Sequence, residues 1–137
     1  IYSDEDAGKR EDDYNEIRLA EIYYSLAECK FKANDVDGAA KLLNAVRKRN
    51  YPQDTWAEYL YKPEGTVTLT QDELYDEWGR EFLAEGRRRT DLIRWGLYCT
   101  EEWWDKKPDA DSHWDIFPIP RDMMGADHTL KQNPGYN

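Results

Sequence analysis

Apolar residues recur at spacings of three and four between Ile17 and Phe31, and this pattern constrains the fold more than any other feature. Ile17, Ala20, Tyr24, Ala27 and Phe31 share one face of an α-helix, so the spacing predicts a helix over 14–33. Asp12 or Asp13 stands where a cap would start it. Asn34-Asp35-Val36-Asp37-Gly38 interrupts the pattern with turn-forming residues. A second helix is predicted over 37–49, with Ala39, Leu42, Leu43 and Val46 inward. Arg47, Lys48 and Arg49 are placed to complement the negative end of its dipole, and Pro52 stops it. Two short helices joined by a tight turn form an αα-hairpin, with the small residues Ala27 and Ala39 at the crossing. One hairpin cannot bury its own faces, so it must pack on further structure.

Residues 51–69 are irregular and aromatic, with Tyr51, Trp56, Tyr59, Tyr61 and Gly65, and Thr66-Val67-Thr68-Leu69 alternates as a short strand would. Thr70-Gln71-Asp72-Glu73 has the capping-box pattern, which starts a helix predicted over 71–85 with Leu74, Trp78 and Phe82 apolar. Gly86 ends or bends it. A helix over 89–98 carries Leu92, Ile93 and Trp95, with Gly96 at a C-terminal stop. Residues 99–115 form a polar loop studded with tryptophan, and Pro118, Pro120, Pro134 and Gly135 make the tail extended or turn-like. The reading is a mainly α chain with long ordered loops: a polar arm over 1–13, dense in charge, then one helical region over 14–137 that is part of a larger domain.

Asp and Glu total 29 against 19 Lys and Arg, a net charge of −10. That balance argues against nucleic acid or an anionic membrane surface as the main partner. Two cysteines, Cys29 and Cys99, exclude a disulfide scaffold and offer no zinc knuckle. No apolar run approaches the roughly 18–20 residues of a membrane span. The chain opens at Ile1 without Met or a signal peptide and reads as a piece of something longer.

Glu81, Glu85, Arg87, Arg88, Arg89, Asp91 and Arg94 place carboxylates among arginines, which acid/base chemistry could use if burial split their pKa values. Local charge complementarity explains them better: Glu85 and Arg89 are spaced as an i,i+4 pair, Asp91 and Arg94 as an i,i+3 pair. The group reads as structural, locking a helix against the tail, with no catalytic residue assigned. His113 and His128 lie too far apart for a helical metal pair and read as surface histidines; no metal or cofactor is expected. Tyr24, Phe31, Trp78, Phe82 and Trp95 have core spacing. Trp103, Trp104 and Trp114 do not, because they sit among Glu101, Glu102, Asp105, Lys106 and Asp109. A sugar ring offers C–H groups to an aromatic face and hydroxyls to nearby acids and amides, so these three are the candidate ligand contacts, against the competing reading that they pack on upstream structure of the larger domain.

Four blocks occur in order: Arg18-Leu19-Ala20-Glu21-Ile22 continuing to Ala27-Glu28; Ala39 to Arg47; Glu81-Phe82-Leu83-Ala84-Glu85-Gly86-Arg87-Arg88-Arg89-Thr90-Asp91-Leu92-Ile93-Arg94-Trp95-Gly96; and Pro118-Ile119-Pro120 followed by Gln132-Asn133-Pro134-Gly135-Tyr136. Together they resemble the C-terminal region of the SusD/RagB family. One departure is Glu77-Trp78-Gly79, where the family often has Glu-Arg-Arg; this removes basic residues and puts a possible bend at Gly79. The resemblance implies a SusD-like helical fold containing tetratricopeptide-type hairpins, of which 14–49 is one. It implies a non-enzymatic nutrient-binding lipoprotein on the outer-membrane surface of Bacteroidetes-type bacteria. Such a protein delivers oligosaccharide to a SusC-like TonB-dependent transporter and is anchored by a lipid on an upstream cysteine. Cys29 lies inside a predicted helix and is no lipobox. The upstream part of its own protein is then a partner of this region.

Two other classes compete. A tetratricopeptide-type adaptor that grips peptides needs further repeats of roughly 34 residues. A glycoside hydrolase needs two carboxylates roughly 5–10 Å apart across a cleft.

Overall fold

A computed structural model describes residues 17–136; the polar arm over 1–13 and the expected start of the first helix over 14–16 lie outside them. The described residues are mainly helical: α1 (Leu19–Lys32), α2 (Val36–Arg47), α3 (Trp56–Tyr59), α4 (Gln71–Glu81), α5 (Arg88–Arg94) and α6 (Arg121–Ala126). Their only β-pairings are isolated bridges. The chain divides into two compact units, residues 1–78 and 79–137, and the boundary falls inside α4.

In the first unit, α1 and α2 form the expected hairpin. Ile17 is 68% exposed and Arg18 is extended (φ −118°, ψ 157°), so α1 starts at Leu19, later than the periodicity predicts. Its end is closed by Asn34 in the left-handed region (φ 63°): Asn34 N–H donates to Phe31 O and Asp35 N–H to Lys30 O, both at 2.9 Å. Asp35 then caps α2 by accepting from Gly38 N–H at 2.9 Å. Its carboxyl is held below the usual range, first by the Lys30 ammonium and then by that amide. A Cβ at Gly38 would strike the Asp35 side chain, so the cap requires glycine there. The turn thus ends one helix and starts the next within a few residues. Ala20, Tyr24 and Ala27 of α1 face Ala39, Leu43 and Val46 of α2 in the core, while Phe31 and Leu42 are half-buried.

The largest difference from the sequence reading is at Arg47. It does not serve the helix dipole from the surface. It is buried and ion-paired with Glu77 of α4, itself buried. Arg47 also donates to the Tyr61 hydroxyl at 3.1 Å and to Tyr59 O at 2.7 Å, and its guanidinium lies 4.5 Å from the Tyr61 ring centroid. Glu77 accepts a second bond from the Tyr24 hydroxyl at 2.8 Å, and Tyr24 meets Trp78 edge to face at 5.5 Å. Asn44, fully buried, answers both backbone groups of Tyr61: its amide donates to Tyr61 O and its carbonyl accepts from Tyr61 N–H, each at 2.9 Å. Burial, then the Glu77 charge, pushes the Tyr61 hydroxyl far above its ordinary pKa, so it stays a neutral donor to Glu73 at 2.8 Å. Lys48, also expected to serve the dipole, pairs with Glu64.

The expected strand at 66–69 is absent. Val67 makes one parallel bridge to Tyr61, with Lys62 N–H to Val67 O at 2.9 Å and Val67 N–H to Leu60 O at 3.1 Å. A strand needs a longer ladder, and the α4 cap at Thr70 leaves no room for one. That cap forms as predicted: Glu73 N–H donates to the Thr70 hydroxyl at 3.1 Å. The helix runs on through Gly79 to Glu81, with Arg88 lying over the glycine.

In the second unit the helix predicted over 71–85 has already ended at Glu81. Ala84 (φ 64°) and Gly86 (φ 75°) both adopt left-handed backbone, which an α-helix cannot continue through. Helix α5 is stopped at the glycine singled out for that role: Gly96 (φ 75°) donates its N–H to Ile93 O at 2.9 Å and Leu97 N–H donates to Leu92 O at 2.8 Å. The expected helix to 98 is therefore shorter, ending at Arg94. Phe82, Leu92, Cys99 and Asp91 are buried here. The tail is not wholly extended. Pro120 (φ −55°, ψ 142°) leads into α6, with Met124 N–H reaching back to Pro120 O at 3.1 Å.

Removing one charge of the Arg47–Glu77 pair strands the other in a buried site. Arg47→Met should lower stability by about 3–5 kcal/mol. Urea denaturation should show this loss, with the double change Arg47→Met, Glu77→Leu recovering part of it. An unchanged midpoint for Arg47→Met would contradict the buried pairing.

Candidate functional site

The three tryptophans singled out by sequence all lie in the second unit, on backbone that is irregular but tied down. Trp103 and Lys106 form an antiparallel bridge, Trp103 N–H to Lys106 O at 2.8 Å and Lys106 N–H to Trp103 O at 3.1 Å. Trp104 and Asp105 are therefore the tip of a tight turn. Trp104 is 98% exposed. Trp103, half-buried, has the Lys106 ammonium 5.3 Å from its ring centroid, and Lys106 is ion-paired to Asp109 at 2.7 Å. Asp109 N–H donates to Cys99 O at 2.8 Å and pins the base of the loop. Cys99 is buried and donates its thiol to Asp115 at 3.3 Å; burial first, then that carboxylate, pushes its pKa up. Both cysteines are free thiols, Cys29 exposed.

Trp114 belongs to a separate cluster. It is the middle residue of a 3₁₀ turn at His113–Asp115, stands 4.4 Å from the His113 ring and meets Tyr136 edge to face at 5.9 Å. Among the described residues no ring contact joins it to Trp103 or Trp104. His113 is not a simple surface histidine: it is half-buried, bonded to Asp111 and edge-on to Tyr136 at 5.1 Å. Asp111 is held below the usual carboxylate range by the His113 backbone amide and then its ring. His128 is exposed. The sequence reading missed the Trp114–His113–Tyr136 cluster because Tyr136 arrives from a distant segment.

The tail motif folds through side-chain amides. Gln132 answers both backbone groups of Ile119, accepting from its N–H at 2.7 Å and donating to its carbonyl at 2.9 Å. That places Gln132 against the Pro118-Ile119-Pro120 segment much as a neighbouring strand would. Asn133 donates to Phe117 O at 2.8 Å and Tyr136 donates its hydroxyl to Ile116 O at 2.8 Å. Pro134 and Gly135 make the turn that returns Tyr136 N–H to Asn133 O at 3.3 Å. Gly135 has φ 87°, and a Cβ there would collide with His113.

The charged motif differs in detail from its sequence reading. Glu85 and Arg89 are not one helical pair, because the left-handed residues 84 and 86 separate α4 from α5. Arg89 donates instead to Trp114 O at 2.7 Å and lies 4.0 Å from the Phe117 ring centroid. Asp91 is 2% exposed; it accepts from Arg94 Nε at 2.9 Å, with Arg87 at 3.8 Å. Arg94 and Arg88 also flank Trp95, at 4.5 and 5.9 Å, and leave that ring half-buried instead of in the core.

The sequence profile of the SusD family matches residues 3–113. The chain belongs to the SusD family. It is 37% identical over 132 residues to the starch-binding protein SusD of Bacteroides thetaiotaomicron, covering 88% of this chain and 21% of that protein. A SusD-like protein of Formosa agariphila is 36% identical over 82 residues, covering 59% and 15%. The crystal structure of a SusD-like protein from Bacteroides fragilis NCTC 9343 superposes with a TM-score of 0.60 at 25% identity, covering 88% of this chain and 25% of that one. The chain thus spans about a quarter or less of these relatives' length. Its mainly helical SusD-like fold agrees with the resemblance read from the sequence.

We propose that Asp91 and its arginines are structural. Asp91→Ala should lower stability by about 1–3 kcal/mol. Thermal melts would read that loss, and ligand titration below the lowered midpoint should be unaffected; full stability with lost binding would reverse the assignment.

Proposed function

We propose that this region belongs to a surface protein that captures oligosaccharide without chemically altering it. Family membership supports the reading, together with one observation: the Trp104 indole stands 98% exposed at the tip of a pinned turn. Exposing an indole to water forgoes the burial that would otherwise stabilise it, and a stacked sugar face restores that burial. Glu101, Asp105 and the ion-paired Glu102 and Lys107 lie in or next to the turn in sequence and carry acceptors and a donor for hydroxyl groups. Trp103 and Trp114 are the further contacts we assign, Trp114 through the edge left open beside His113 and Tyr136.

The wider role follows the family. The full protein sits on the outer-membrane surface, held by a lipid on its upstream part, and hands oligosaccharide to a SusC-like TonB-dependent transporter. No described helix is long and apolar enough to cross a membrane. The adaptor reading needs a run of helical hairpins, whereas α1 and α2 make one.

Calorimetric titration of the full-length protein with starch-type and other oligosaccharides tests the site. Trp104→Ala should weaken binding of the cognate glycan by about 1–2 kcal/mol, with Trp103→Ala next and Trp114→Ala smaller. Wild-type affinity in all three would place the site elsewhere. Release of reducing sugar on prolonged incubation would overturn the non-catalytic reading.

A further inference from the structure

A concavity in the second unit shares no residue with the tryptophan turn at 103–106, and nothing above gives it a role. It is an open hollow of about 440 Å³ lined by Pro118, Pro120, Arg121, Gln132, Gly135 and Tyr136, with Ile119. That volume lies within the range of small-ligand sites, and it accommodates a monosaccharide ring. Its walls are fixed in advance. Gln132 is fully engaged by the Ile119 backbone, Tyr136 by Ile116 O, and Gly135 is wedged against His113. The polar groups that shape the concavity are therefore spent on the fold and have little left for a ligand.

Arg121 is the exception. It is exposed, and no carboxylate or carbonyl among the described residues engages it. Asp122, the next residue round α6, does not line the space. In a chain of net charge −10, a guanidinium with no partner among the described residues at the edge of a hollow of mixed polar and apolar lining is a specific feature. Its planar fork matches a carboxylate through two parallel hydrogen bonds. The Pro118 and Pro120 rings and the Tyr136 ring offer apolar surface to the C–H groups of a sugar.

We propose that this concavity is an accessory subsite for an acidic sugar residue, its carboxylate on Arg121 and its ring against Pro118, Pro120 and Tyr136. The inference takes from the proposed function only that the ligand is a sugar; the subsite is separate from the tryptophan turn.

The test is titration of the full-length protein with methyl β-glucuronide, methyl β-glucoside and acetate. Glucuronide should bind saturably and at least tenfold more tightly than either of the others. Arg121→Gln should lose at least tenfold of that affinity with an unchanged melting temperature, and Trp104→Ala should lose none. Equal binding of glucuronide and glucoside, or an unaffected Arg121→Gln, would overturn the proposal. Acetate binding as tightly as glucuronide would overturn the sugar subsite in favour of a bare anion contact. Loss of glucuronide binding in Trp104→Ala would overturn the separateness of the two sites. Failure of the tryptophan turn to bind a neutral oligosaccharide while glucuronide still binds would count against the proposed function alone.

Discussion

The buried ion pair between Arg47 and Glu77 ties several segments of the first unit together. Both charges are out of water, so each must be matched, and the matching draws in four segments. Arg47 brings the C-terminal turn of α2, Glu77 brings α4, and Tyr24 brings α1 to the same carboxylate. The irregular segment at 59–61 is fastened by the Tyr59 carbonyl and the Tyr61 hydroxyl on Arg47, and by Asn44 on the Tyr61 backbone. A one-residue slip of any of these elements would leave a buried charge unpaired, which is far costlier than a misplaced leucine.

The same substitution of side chain for backbone partner recurs in the second unit. Gln132 on Ile119 repeats what Asn44 does for Tyr61, a carboxamide answering both N–H and C=O of one residue. Arg89 on the Trp114 carbonyl fastens a further irregular segment. Loops held in this way need no sheet, whereas the turn that presents Trp104 is closed by the backbone bridge between Trp103 and Lys106.

The sequence made the helices legible wherever a local signal existed: the Thr70 cap, the Asn34 and Gly96 stops, and the apolar spacing of Tyr24, Ala27, Leu43 and Val46. Helix ends were less legible, since Ala84 in left-handed backbone has no sequence signature. Arg47, Asn44 and Glu77 were invisible as core because a polar residue on a helix reads as solvated unless its partner is known, and Glu77 lies 30 residues from Arg47. For the candidate site, the charged neighbours of Trp103 and Trp104 set them apart from the aromatics with core spacing, and Trp104 is exposed. The company of Trp114 was not legible, because Tyr136 comes 22 residues later. The family resemblance rested on motifs that are mostly engaged in folding, so it informed the fold more sharply than the ligand contacts.

The central claim is that a rigidly held turn around Trp104 meets the glycan. Hydrogen–deuterium exchange of the full-length protein, followed by mass spectrometry with and without saturating oligosaccharide, tests it most directly. The account predicts that peptides spanning 99–109 exchange more slowly when the glycan is bound, while those covering α1 and α2 are unchanged. Protection confined to other parts of the protein, with 99–109 exchanging as before, would contradict it.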